Sequence, residues 1–146
     1  MPLGTCFAFF IFPIFSSSLT SLRSIKIVSP SLYNFKDAMK LYNEGETIFI
    51  DLRDIRELEK NGKIKNAKHV PRGMLEFWID PKSPYYRDYF NSKNKFIFYC
   101  ASGWRSSLSS KTALEMGLIN VLNLENGIDD WIMQNGPIEK FAKRKN

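Results

Sequence analysis

Apolar positions in this chain fall into short runs at two different periods. Thr47–Asp51 and Val121–Leu124, with residues 96–99 between them, are largely continuous apolar runs of the length of a buried strand. Two shorter stretches have the same character: residues 25–28, a β-branched run stopped by Ser29-Pro30, and residues 68–70 before Pro71. Helical spacing appears elsewhere. Leu32, Phe35, Met39 and Tyr42 recur at intervals of three and four, with Gly45 where a helix C-cap belongs. Residues 54–60 form a short charged helix closed by Asn61-Gly62, and residues 74–80 a short aromatic one ahead of a loop with Pro81 and Pro84. Residues 108–116 are helical up to Gly117, and residues 128–134 up to Gly136-Pro137. Strand and helix alternate, which predicts an α/β fold: a central, mainly parallel five-stranded sheet with helices on both faces. Ligand sites in such sheets form at the carboxyl ends of strands, where Asp51 and Cys100 both fall.

A chain of 146 residues with 44% hydrophobic and 25% charged residues suits one globular domain. The net charge of +6 raises the question of a polyanion partner. Its distribution argues against one, because residues 29–139 hold fifteen bases and fifteen acids. The excess lies in Arg23 and Lys26 on one side and in Lys140, Lys143, Arg144 and Lys145 on the other. No nucleic-acid partner is expected. We divide the chain into a leader or disordered extension (1–24), a folded domain (25–139) and a basic tail (140–146). The leader's apolar run, residues 6–15, is too short to span a bilayer, and its first positive charge, Arg23, comes after the run instead of preceding it. The expectation is therefore a cytoplasmic protein without a membrane partner, the alternative being an exported or membrane-associated one if residues 1–24 are a real signal. Two cysteines make no disulfide framework, and with one histidine, His69, there is no set of ligands for structural zinc. No metal and no cofactor are expected.

The informative segment is Cys100-Ala101-Ser102-Gly103-Trp104-Arg105-Ser106, placed between a strand and a helix. Backbone N–H groups of such a loop, with the orphan N–H groups of the next helix, can turn toward the sulfur. The helix dipole and Arg105 favour thiolate over thiol and attract anions to the same place. Gly103 permits the tight curl, and Ser102, Ser106 and Ser107 add hydroxyl donors. The reading is a nucleophilic thiolate that also cradles an anionic or sulfur-bearing substrate.

These residues resemble the single-domain rhodaneses, the thiosulfate-type sulfurtransferases, over about residues 29–139. Asp51-Leu52-Arg53 with Glu57 is similar to that family's Asp-Val-Arg…Glu block, and Gly62-Lys63-Ile64-Lys65-Asn66-Ala67…Val70-Pro71 to its Gly-His-Ile-x-Gly-Ala…Ile-Pro block. Residues 100–106 match the Cys-x-x-Gly-x-Arg-Ser loop, and Asn126-Gly127-Ile128…Trp131 resembles the Gly-Gly…Trp signature. Asn66 and Asn126 stand where the family has Gly; Asn tolerates a left-handed backbone best of the other residues. The resemblance implies sulfur transfer through a Cys100 persulfide, from a sulfane donor such as thiosulfate to cyanide or a cellular thiol, free or on a protein. Arg105 and the amides from Ala101 to Ser106 would hold donor and persulfide, and Asp51 and Arg53 would brace the loop. Trp104 is expected at the mouth. Arg72 is expected on the surface, Phe77 and Trp78 in the core, and His69 packed or hydrogen-bonded. A cysteine phosphatase would carry Cys-x5-Arg, whereas Cys100 to Arg105 is Cys-x4-Arg, a tighter loop suited to a sulfur atom. A non-catalytic persulfide carrier or binding module is the other alternative, ahead of a phosphatase or an arsenate reductase.

Overall fold

Alternation of strand and helix carries through the computed structural model, which describes residues 29–91 and 93–142. In chain order the elements are β1 (Ser31–Tyr33), α1 (Phe35–Glu44), β2 (Thr47–Asp51), α2 (Ile55–Asn61), β3 (Lys63–Ile64) and β4 (Lys68–His69). A 3-10 turn, Arg72–Met74, then leads into α3 (Leu75–Ile79), succeeded by β5 (Lys95–Tyr99), α4 (Trp104–Glu115), β6 (Val121–Leu124), α5 (Gly127–Met133) and β7 (Ile138–Glu139). Five strands form one sheet in the order β1-β6-β5-β2-β4, every pairing parallel. β3 and β7 form a separate antiparallel ribbon.

Both faces of this sheet are covered, so its inner strands are apolar at successive positions and not at alternate ones. Side chains of β5 divide strictly by the strand period. Phe96 and Phe98 enter a cluster with Leu75, Ile79, Phe90 and Ala113 on the α3–α4 side. Ile97 and Tyr99 enter the opposite cluster, with Ala38 of α1 and Ile128 and Trp131 of α5. Trp131 is fully buried at the centre of that second cluster, with the rings of Phe35, Phe49 and Tyr42 at 5.1, 5.7 and 5.8 Å.

Three expectations are corrected. Leu32, expected on a helix, belongs to β1, the strand beside β6; the strand expected at 25–28 lies outside the described residues, which do not test it. Asn34 decides that boundary: its side chain accepts the Asp37 N–H at 3.0 Å and starts α1 after it, leaving Leu32 on an exposed edge. Helix α4 starts at Trp104, four residues ahead of the expected start. Its inward face is Ser106, Ser109, Ser110 and Ala113, small residues that give no apolar stripe to read. Phe77 is exposed on α3 against Tyr85, and Trp78 packs at the core margin under the Arg87 guanidinium.

Under the carboxyl ends of β2 and β5 lies a buried polar joint. Asp51 and Arg53, almost without solvent contact, pair through Arg53 Nη2 to Asp51 Oδ2 at 2.7 Å and Arg53 Nε to Oδ1 at 3.0 Å. Arg53 Nη2 also donates to the Gly62 carbonyl at 2.7 Å, its own backbone N–H donates to Asp51 Oδ1, and its carbonyl lies 2.9 Å from His69 Nε2. Burial acts to lower the Arg53 guanidinium, but its hydrogen bond to the Asp51 carboxylate and that group's charge outweigh this and raise it. Removing one partner strands the other charge in the core. Asp51→Ala should therefore cost about 3–5 kcal/mol, read as a lower denaturant midpoint at unchanged slope; a loss within experimental error would contradict this role for the joint.

Candidate active site

Cys100 is the first residue after β5, the central strand of the sheet, and only 1% of it is exposed. Two backbone constraints shape the loop beyond it. Gly103 sits at φ 93, where a Cβ would fall 2.0 Å from the Glu125 carbonyl oxygen, so no other residue fits there. Gly127 sits at φ 62, and a Cβ would lie 2.3 Å from the Ala101 oxygen and 2.5 Å from the Cys100 oxygen. That close approach lets α5 satisfy its first amides on the loop: Ile128 N–H donates to the Cys100 carbonyl at 2.9 Å, and Asp129 N–H to the Ala101 carbonyl at 3.1 Å. With the carbonyls turned toward α5, the next amides turn toward the sulfur.

Gly103 N–H donates to Cys100 Sγ at 3.2 Å, and Ser106 Oγ lies 3.6 Å from Sγ. Burial pushes the thiol up. The Ser106 hydroxyl and the N–H groups of Ser106, Gly103 and Ser102 more than offset it, and hold the group below the ordinary 9.0. Ser106 Oγ is also 3.1 Å from the Gly103 carbonyl. One hydroxyl proton cannot serve both acceptors at once.

Arg105 is the second residue of α4, in its first turn and not in the loop proper. Its guanidinium is held by Glu57 in a two-pronged pair, Nη1 to Oε2 at 2.7 Å and Nη2 to Oε1 at 2.8 Å. Glu57 also closes the capping box of α2, accepting the Asp54 N–H at 3.0 Å, so its carboxylate is positioned by its own helix. Donation from Arg105 holds the Glu57 carboxyl down at about 2. Glu57 raises Arg105 in turn, with a smaller contribution from the Cys100 charge nearby.

Trp104 opens α4 and is 81% exposed. Ala101 and Ser102 complete the turn between the sulfur and Gly103. Asp51 and Arg53 are not in contact with the loop's sulfur; their bonds run to each other, to Gly62 at the end of α2 and to His69. Arg72 is an exposed-side partner of Glu76 at 2.7 Å, and Lys63 pairs with Glu139 and the Ala67 carbonyl. Asn66 takes φ 66, the left-handed value that its replacement of Gly requires, whereas Asn126 lies at φ −103, which any residue adopts. Two contacts at the site were not legible in the sequence. Glu57 stands 48 positions from Arg105. The buried Tyr99 hydroxyl accepts the Ile64 N–H at 3.2 Å and is kept protonated by burial and by Asp51. Among the described residues no group of three or more His, Cys, Asp or Glu is placed to hold a metal ion, and no helix is long and apolar enough to cross a membrane.

Two substitutions test this geometry. Ser106→Ala removes one donor to the sulfur, so the pH midpoint of iodoacetamide alkylation should rise toward 9.0, and the rate at pH 7 fall about three- to tenfold; an unmoved midpoint would remove Ser106 from the cradle. Gly127→Ala introduces both the strained φ and the clash with two carbonyls, and should destabilise by about 2–4 kcal/mol in a urea titration. A variant as stable as the parent would mean the loop carbonyls are not held as described.

Comparison with known proteins agrees with this geometry. A family model described as Rhodanese-like domain matches residues 34–134. The mouse protein named thiosulfate sulfurtransferase/rhodanese-like domain-containing protein 3 is 22% identical over 109 residues, covering 71% of this chain and 69% of its own. Among solved structures, a Rhodopseudomonas palustris protein of unknown function, described as a possible tyrosine phosphatase, is 46% identical with a TM-score of 0.73, over 75% of this chain and 85% of its own. The polysulfide-sulfur transferase of Wolinella succinogenes, a homodimer, is 30% identical with a TM-score of 0.58, over 80% and 83%. A central strand ending in a cradled cysteine, on an all-parallel five-stranded sheet, together with a family match across most of the folded region, places this chain in the rhodanese-like domain family.

Proposed function

We propose that this protein is a sulfurtransferase that carries sulfane sulfur on Cys100 from a donor such as thiosulfate to a thiophilic acceptor. The observation that carries the reading is the convergence of N–H donors on a buried Sγ, with the thiol held below its ordinary range. In the first half-reaction the thiolate attacks the outer sulfur of thiosulfate. The S–S bond of the donor breaks, its electron pair leaves with sulfite, and Cys100 becomes a persulfide. In the second, cyanide or a thiolate attacks the outer persulfide sulfur and Cys100 departs as thiolate. Backbone amides that stabilise the thiolate are in place to stabilise the persulfide anion one sulfur further out. The relation to a polysulfide-sulfur transferase supports a sulfane donor, and a small-molecule thiol or a protein thiol suits the acceptor. A working thiolate fits a reducing compartment such as the cytoplasm.

The relation to a possible tyrosine phosphatase favours a second reading, phosphoryl transfer. Two features weigh against it: the loop has four residues between Cys100 and Arg105, and the guanidinium that would clamp a phosphoryl group is engaged by Glu57.

Incubation with thiosulfate and then intact mass spectrometry should show an adduct heavier by about 32 Da, absent in Cys100→Ser. Thiocyanate formation on adding cyanide should fall at least about 1,000-fold in that variant, and its absence in the parent would leave a carrier and not an enzyme. Failure of every sulfane donor to load Cys100, or fast turnover of an aryl phosphate that Cys100→Ser abolishes, would overturn the reading.

A further inference from the structure

We propose that Glu57 selects the donor by its charge, cancelling Arg105 so that the Cys100 site, while still able to take thiosulfate, prefers sulfane donors of lower charge to dianions. The inference rests on the sulfurtransferase reading above and concerns the donor class. A guanidinium beside a thiolate would ordinarily make the site a receptor for anions. Here both terminal nitrogens of Arg105 are bound to one carboxylate, at 2.7 and 2.8 Å, and the pair is formally neutral. The neighbouring guanidinium, Arg53, is buried and taken up by Asp51 and the Gly62 carbonyl. Two further acids, Glu125 and Asp129, are exposed, and their backbones border the loop: the Glu125 carbonyl fills the space where Gly103 lacks a Cβ, and the Asp129 N–H binds the Ala101 carbonyl. The sulfur itself is stabilised chiefly by dipoles, which add no net charge, and only to a smaller degree by Arg105.

An incoming donor therefore approaches a negative sulfur beside a neutralised cation. Each unit of negative charge on the donor adds repulsion, and the half-exposed Arg105–Glu57 pair supplies no net attraction to offset it. The capping box makes Glu57 a reliable holder, since its carboxylate is aligned by the Asp54 N–H before Arg105 arrives. Glu57 is a positioning residue in this scheme: it sets how much of the Arg105 charge the donor meets.

Thiosulfate and methanethiosulfonate separate the effect cleanly. Both present an outer sulfur on a sulfonyl-type centre; the first is a dianion that releases sulfite, the second a monoanion that releases methanesulfinate. In Glu57→Gln the amide oxygen can still accept the Asp54 N–H and one Arg105 N–H, so the cap and the fold are retained, while the cancelling charge is gone. The ratio of kcat/KM for thiosulfate to that for methanethiosulfonate should rise about fivefold in Glu57→Gln, mainly through KM, and the rise should shrink between about 20 and about 500 mM salt as screening takes hold. A structural lesion would lower both activities and leave the ratio alone, so an unchanged or lower ratio overturns the inference while leaving sulfur transfer standing. Parent protein that is loaded by neither donor overturns both.

Discussion

Two full charges inside a protein core demand nearly complete compensation, and the Asp51–Arg53 pair is the point in this fold where that demand is met. Desolvating each ion costs several kcal/mol unless every donor and lone pair finds a partner. The partners are found by pulling several elements to one place: the end of β2, the turn after α2 through the Gly62 carbonyl, and β4 through His69. Once the exit of α2 is pinned in this way, its N-terminal turn is placed as well, and with it Glu57. Glu57 then fixes Arg105 on the first turn of α4. The joint acts on the sulfur at two removes, through backbone placement and through one ion pair.

Stabilisation of the thiolate comes chiefly from groups that carry no formal charge, with a smaller contribution from Arg105. The amides of Ser102, Gly103 and Ser106 and the Ser106 hydroxyl are held by a strand end and a helix start, so they need no reorganisation when charge appears on sulfur. The formal charges nearby are arranged in neutral pairs, Asp51 with Arg53 and Glu57 with Arg105. Local dipoles thus govern the sulfur, and the balance of bases and acids over residues 29–139 is repeated at the scale of the site.

The sequence disclosed whatever is local. Runs of consecutive apolar residues located β2 and β6 to the residue and β5 to within one, because strands buried on both faces leave that signature. The strand–Cys–Gly–helix order located the sulfur for the same reason. Part of what remained hidden depends on residues far apart. The β3–β7 ribbon joins two two-residue strands from distant parts of the domain, too short for any periodicity. The start of α4 was obscured because its inward face is serine and alanine. The hold of Glu57 on Arg105 spans 48 positions, and neither residue's neighbours announce it. Phe77 shows the opposite failure: an aromatic in an aromatic segment reads as core, yet it lies outside on α3.

Helix α5 has no side-chain cap at its start; Asn126 contributes none, and the first amides close on the carbonyls of Cys100 and Ala101 instead. The helix therefore borrows its beginning from the cysteine loop, and the loop borrows its curvature from the helix. Neither can open alone without leaving buried backbone groups unpaired, so the two belong to a single cooperative unit of local unfolding. The segment bearing the nucleophile, in many proteins among the looser parts, inherits here the opening free energy of a helix whose Trp131 is sealed in the core.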